Sequence, residues 1–114
     1  MTDRAALLTA MFEAFNRKDF DATAAFLHPD ADWPNTLGEG RLQGAAAVLN
    51  SWREHHGQFD AQVSLVSCEP VGDDGLRARL YYVIRKLDGR LFSEEMGHQL
   101  FRFRDGLVAR MDLD

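Results

Sequence analysis

Phe12–Gly44, FEAFNRKDFDATAAFLHPDADWPNTLGEGRLQG, is the stretch that decides the fold. An amphipathic helix ends in Asn16-Arg17-Lys18-Asp19. Asp19 is a good N-cap for a second short helix from Phe20 to Leu27, which Pro29 stops. His28 precedes Pro29 and closes a turn; Ala31-Asp32-Trp33 then runs extended, and Gly38 and Gly40 punctuate a return. This layout suits two helices laid over a curved sheet, with Trp33 to Thr36 reaching the space between. It points to a pocket, though not to what fills it.

Upstream, residues 3 to 17 form the first helix: Asp3 can cap it, and Leu8, Met11, Phe12 and Phe15 make one apolar stripe. Downstream, Gly44 opens a third helix to about His56, with Ala45, Val48, Leu49 and Trp52 on one face and Gly57 just past its end. The period then changes to two. Runs at 61–71, 76–87, 90–104 and 107–113 read as strands, separated by Asp73-Asp74-Gly75, Asp88-Gly89 and Asp105-Gly106. The sum is one α+β domain spanning residues 1–114, with helices on one face of an antiparallel meander.

The chain has 114 residues, enough for one core, and its 46% hydrophobic and 27% charged content is that of a globular protein. A net charge of −5 and a pI near 5.3 argue against nucleic acid, which asks for a basic stripe. Arg77, Arg79 and Arg85 share one strand face, which fits a solvated or dimer-facing sheet surface. With Cys68 alone there is no internal disulfide and no paired-cysteine metal site, and Cys68 reads as a small hydrophobe. No apolar run approaches the ~18 residues of a membrane span, and no signal-peptide core opens the chain, so the cytoplasm is the default. No metal and no cofactor is expected: Gly38-Glu39-Gly40 lacks the strand-to-helix context of a dinucleotide loop.

Turns and alternation assign the faces of the sheet. A two-residue Asp88-Gly89 turn sets Leu87 opposite Arg90, and therefore Tyr82 opposite Glu95, Leu80 opposite Gly97 and Ala78 opposite Gln99. For the last hairpin, a three-residue loop Arg104-Asp105-Gly106 sets Phe103 opposite Leu107, Phe101 opposite Ala109, Gln99 opposite Met111 and Gly97 opposite Leu113. A two-residue loop would instead pair Phe101 with Arg110 and mix core with solvent residues, which is costly. The first register puts Ala78, Leu80, Tyr82, Ile84, Ser93, Glu95, Gly97, Gln99, Phe101, Phe103, Ala109, Met111 and Leu113 on the inner face. His98 then lies opposite Asp112 on the outer face.

Polar groups on so apolar a face carry the chemistry. An unpartnered buried carboxylate is expensive, so Glu95 is at a rim, hydrogen-bonded or protonated, with Tyr82 as its partner. Gln99, deeper in the strand, reads as a polar spot of a ligand pocket or a buried water site. His55 and His56 end the third helix: the plain reading is a solvent-facing pair, while His56, four residues after Trp52, leans toward the sheet.

FNRKDFDATAAFLHPDADW, GEGRLQGAAAVLNSW and the terminal GHQLFRFRDGLVARMDL together resemble the SnoaL-like branch of the nuclear transport factor two-like superfamily, over essentially the whole chain. The resemblance implies a cone-shaped curved sheet with three helices from the first half of the chain on its inner face, a hydrophobic cavity between them, and a homodimer. It does not settle chemistry, because members include ketosteroid isomerases, polyketide cyclases, epoxide hydrolases and dehydratases. Against the ketosteroid isomerases, Asn35 stands where the catalytic aspartate base would be and Met11 where the oxyanion-hole tyrosine would be. Gln99 falls near the protonated acid of that hole, and Trp52 matches a pocket aromatic. The epoxide hydrolase pattern asks for Asp-Arg-Asp inside the cavity, and the inner face carries no Arg.

The expectation is a protein that binds a small, mostly apolar molecule. If it is an enzyme, the chemistry is cofactor-independent acid–base work: isomerisation, dehydration or cyclisation. Glu95 is base or acid, oriented by Tyr82; Gln99 and Asn35 polarise or orient a carbonyl. Met11, Phe15, Trp33, Trp52, His56, Phe101 and Met111 shape the hole. The alternative is a non-catalytic ligand-binding or dimerisation module.

Overall fold

Residues 3–35 and 38–113 are described here from a computed structural model; Thr36, at the end of the stretch expected to reach the pocket, lies outside them. Three helices pack on one face of a curved, unclosed six-stranded sheet of order β2-β1-β6-β5-β4-β3. The strands are β1 Leu27–Pro34, β2 Arg41–Gln43, β3 Phe59–Val71, β4 Gly75–Lys86, β5 Leu91–Arg104 and β6 Leu107–Leu113. The cone-shaped α+β architecture is as expected, with one departure. β1 runs parallel to β6, so the sheet is mixed rather than wholly antiparallel.

Helix α1, Arg4–Asn16, starts where Asp3 accepts from the Ala5 and Ala6 amides at 3.0 and 3.2 Å. Its Leu8, Met11 and Phe12 are buried at the one-turn spacing that faces a core. Lys18 takes a left-handed conformation (φ 65) that turns the chain, and Asp19 caps α2 through the Ala22 amide at 3.2 Å. Helix α2 covers only Phe20–Ala24, not the expected run to Leu27. The sheet captures the chain first: the Val108 amide donates to the Phe26 carbonyl at 2.9 Å and Leu27 pairs with Val108. Helix α3, Ala45–His56, begins after Gly44, whose φ of 92 few other residues would adopt.

Both later hairpins differ from expectation near their turns. At the β4–β5 turn, Lys86 N donates to Arg90 O at 2.8 Å, giving a three-residue loop Leu87-Asp88-Gly89 in place of the two-residue one. A bulge absorbs the extra residue, since Arg85 pairs with Leu91 but Ile84 with Ser93. Beyond it Tyr82 faces Glu95, Leu80 faces Gly97 and Ala78 faces Gln99, as read from the sequence.

The β5–β6 turn is the two-residue one that the sequence reading set aside. Asp105 (φ 57) and Gly106 (φ 77) both take positive φ, the geometry that matches strand twist. Arg104 pairs with Leu107 and Phe103 with Val108; a bulge at Ala109 then brings Arg102 to Arg110 and Phe101 to Met111. The bulge removes the penalty of the slip. Val108 and Met111, three apart, are both buried, and Val108 takes the inner place expected of Ala109. The pairs Phe101–Ala109, Gln99–Met111 and His98–Asp112 are not formed; Gln99 faces Leu113 and Leu100 faces Asp112.

Candidate functional site

Above the inner face, α1, α3 and β1 enclose a cavity of about 460 Å³, within the range of about 300–1,000 Å³ typical of ligand pockets. Three aromatic rings close its helical side. Trp33 from β1 meets Trp52 from α3 edge-to-face at 5.9 Å, and Phe15 from α1 meets Trp52 at 5.8 Å. Met11 and Met111 also line it. Phe101, expected in the lining, lies behind it: fully buried, it packs on Phe12 and Trp33 at 6.0 and 6.1 Å and supports the wall.

Tyr82, Glu95 and Gln99 bring the polar groups into this space from the sheet. Strand alternation puts all three on one face, and Gly97 between them has a physical reason. A Cβ on Gly97 would sit 2.8 Å from Tyr82 Cε2, so the ring lies directly across bare β5 backbone. Burial pushes the Tyr82 phenol up to about 12, a hydrogen bond with the Gln99 side chain opposes this, and the nearby Glu95 charge adds to it. The phenol is therefore held protonated at neutral pH. Glu95 itself is exposed at the mouth, so of the three environments open to it the rim is the one found. Gly97→Ala is expected to push the Tyr82 ring off this seat and destabilise the fold by about 1–3 kcal/mol in urea denaturation. A variant as stable as the parent would show that the ring does not occupy that place.

Besides Phe101, two expected site residues lie outside the cavity lining. Asn35 belongs to the turn after β1: its amide N donates to Gly40 O at 3.0 Å and its side chain to Glu39 O at 3.3 Å, and it is not among the lining residues. His56 packs on Phe20 at 5.6 Å, and its buried Nδ1 has no hydrogen-bond partner among the described residues. His55 lines the cavity in its stead. Burial first, then the charges of Lys18 and His56, lower its affinity for a proton, which keeps the imidazole neutral at pH 7. Three residues after Trp52 is as good a same-face spacing as four, so the helical period already allowed His55.

An Asp-Arg-Asp set does exist, on the outer face. Arg110 contacts Asp32 and Asp112 at 2.8 Å each, and Arg41 bridges the same two carboxylates. The Arg41 hydrogen bond holds Asp32, and the Arg110 hydrogen bond holds Asp112, below the usual carboxylate range. These groups tie β1, β2 and β6 together and do not enter the cavity. A larger groove of about 720 Å³ lies at the start of α1, but it is bordered by charged side chains such as Asp3, Arg104 and Asp105. Its floor includes Leu7, Leu76 and Phe103, but the Arg4 guanidinium lies over the Phe103 ring at 5.1 Å and donates to the Asp73 carbonyl, so a charged group already covers part of that apolar surface. No helix among the described residues is long and apolar enough to cross a membrane.

The model of the SnoaL-like domain matches residues 8–111. Aklanonic acid methyl ester cyclase of Streptomyces galilaeus is 31% identical over an alignment of 118 positions that covers 95% of this chain and 81% of that protein. Among solved structures, an NTF2-like protein of unknown function from Burkholderia pseudomallei superposes with a TM-score of 0.82 at 19% identity, covering 100% of this chain and 92% of that one. A Mycobacterium tuberculosis protein solved in complex with estradiol-17β-hemisuccinate has a TM-score of 0.79 at 17% identity, covering 94% and 88%. The cone-shaped sheet, its three helices and the match over nearly the whole length place this chain in the SnoaL-like family.

Proposed function

We propose that this chain binds a small, mostly apolar organic molecule in the inner cavity and transforms it by cofactor-independent acid–base chemistry of the ring-closing or isomerising type. The observation that carries this is the Tyr82–Gln99 pair set beside Glu95 in an otherwise apolar, aromatic-walled space. A carbonyl in the ligand is its own electron sink. Glu95 takes a proton from the carbon next to it, and the electron pair moves onto the carbonyl oxygen. The protonated Tyr82 hydroxyl and the Gln99 amide donate to that oxygen as its charge grows. In a ring closure the new enolate carbon attacks a second carbonyl, and the resulting alkoxide takes the proton back from Glu95. The named activity of the Streptomyces relative and the steroid ester held by the Mycobacterium protein both agree with such a ligand.

Trp33 and Trp52 are the chain's two tryptophans and both line the cavity, so tryptophan fluorescence, excited beyond the tyrosine band, reports on it. Titration with 1-naphthol is expected to quench that fluorescence saturably, and aklanonic acid methyl ester to displace the probe. Quenching that rises linearly without saturation would remove the cavity as a binding site.

A further inference from the structure

β3 is the last strand of the sheet and pairs with β4 alone, so the backbone groups along its free side need other partners. Over Ala61–Val63 the end of α1 supplies them. Asn16 Nδ2 donates to the Val63 carbonyl at 2.8 Å, and the Val63 amide donates back to Asn16 Oδ1 at 2.9 Å. One side-chain amide thus meets both backbone groups of one residue, as a neighbouring strand would. Two residues on, Lys18 Nζ donates to the Ala61 carbonyl at 2.6 Å and pairs with Asp60 at 2.7 Å. Gln62 adds a bond in the other direction, its Nε2 donating to the Asn16 carbonyl at 3.2 Å.

The backbone is strained at this joint. Lys18 holds a φ of 65, which a residue with a side chain rarely adopts, where the chain leaves α1. Such a conformation persists only where its surroundings over-determine it, and here the bonds to β3 do so. What borders the joint gives it a role. Phe15, next to Asn16, lines the cavity and meets Trp52 edge-to-face at 5.8 Å. Ala61 and Val63 line the same cavity from the sheet. The α1–β3 seam is therefore one of its walls, and Asn16 and Lys18 stand where water would otherwise satisfy the edge of β3.

We infer that Asn16, with Lys18 beside it, is a positioning residue for the ligand: it seals the α1–β3 wall and keeps the Phe15 ring seated on Trp52. This rests on the cavity reading above and deepens it, because part of the affinity then resides in two residues that do not line the cavity. Removing the Asn16 amide leaves both Val63 groups to water, which enters the seam behind Phe15.

The test sets Asn16→Ala against Val108→Ala, which empties a fully buried site on β6 away from the cavity lining. Both are read by tryptophan fluorescence well below the unfolding transition, where lost stability alone changes neither quenching nor affinity. Asn16→Ala is expected to raise acrylamide quenching of the ligand-free protein about twofold and to weaken 1-naphthol about tenfold. Lys18→Met, which loses the Ala61 bond, should shift both in the same direction by less. Val108→Ala should lower the melting temperature and leave both at parental values. If Asn16→Ala does the same, the joint is structural alone and the inference is overturned. Equal changes in Asn16→Ala and Val108→Ala overturn it as well, since any loss of stability would then loosen the wall. A parent protein that binds no 1-naphthol overturns the cavity reading and the affinity role with it, even where acrylamide still reports a loosened wall.

Discussion

Phe101→Ala is expected to destabilise the protein by about 3–5 kcal/mol, the range for emptying a fully buried aromatic site. Phe101 is 0% exposed and wedged between Phe12 and Trp33, with Leu76 and Met111 directly opposite on the neighbouring strands. These neighbours come from four different elements, so no single one can move in to fill the space. Since a domain of this size has a total stability of about 5–15 kcal/mol, the variant should retain a fold but unfold at much lower urea. The ring also backs Trp33, so 1-naphthol quenching should weaken in the same variant. A loss below about 1 kcal/mol would mean that the site collapses without cost and that Phe101 does not hold the wall.

The polar set of the cavity was legible because it rests on alternation, which survives errors in the turn. Tyr82, Glu95 and Gln99 fall on one face whether the β4–β5 loop has two residues or three, provided a bulge restores the count. Neither bulge was legible. Phe92 and Ala109 occupy ordinary strand positions in the sequence, and what makes each an extra residue is how the loop length and the buried face of the partner strand must be reconciled. The Asp105-Gly106 turn shows the cost of ignoring this. Its residues asked for a two-residue loop, and the slip that argued against it is cancelled three residues later at Ala109.

Other misreadings have different causes. The end of α2 was set by pairing with β6, a contact distant in sequence that no local propensity encodes. Asn35 was placed by its alignment with the isomerases, and a turn of different geometry takes it out of the cavity. His56 and His55 differ by 100° around α3, so the choice between them depends on how the helix is rolled over the sheet. That roll is fixed by Trp52 meeting Trp33 and Phe15, a packing fact outside the helix's own sequence.

Glu95→Gln separates catalysis from binding. The amide keeps the size of the carboxylate and can still hydrogen-bond, but it cannot accept a proton at neutral pH. Turnover of a ring-closing substrate such as aklanonic acid methyl ester is expected to fall about 10²–10⁴-fold, roughly 3–5 kcal/mol of barrier, while 1-naphthol affinity stays within about twofold. The exposure of Glu95 sharpens this test rather than weakening it. Glu95 is exposed at the mouth and contributes nothing to the aromatic wall, so kcat should respond and probe binding should not. Unchanged turnover in Glu95→Gln would transfer the role to another group, with His55, neutral and on the same cavity wall as Trp52, the next to test. Saturable probe binding by a parent protein that turns over no such substrate would instead make the chain a ligand-binding module. Glu95 would then be a solvated rim residue, and the Tyr82–Gln99 pair a device for orienting a carbonyl without transforming it.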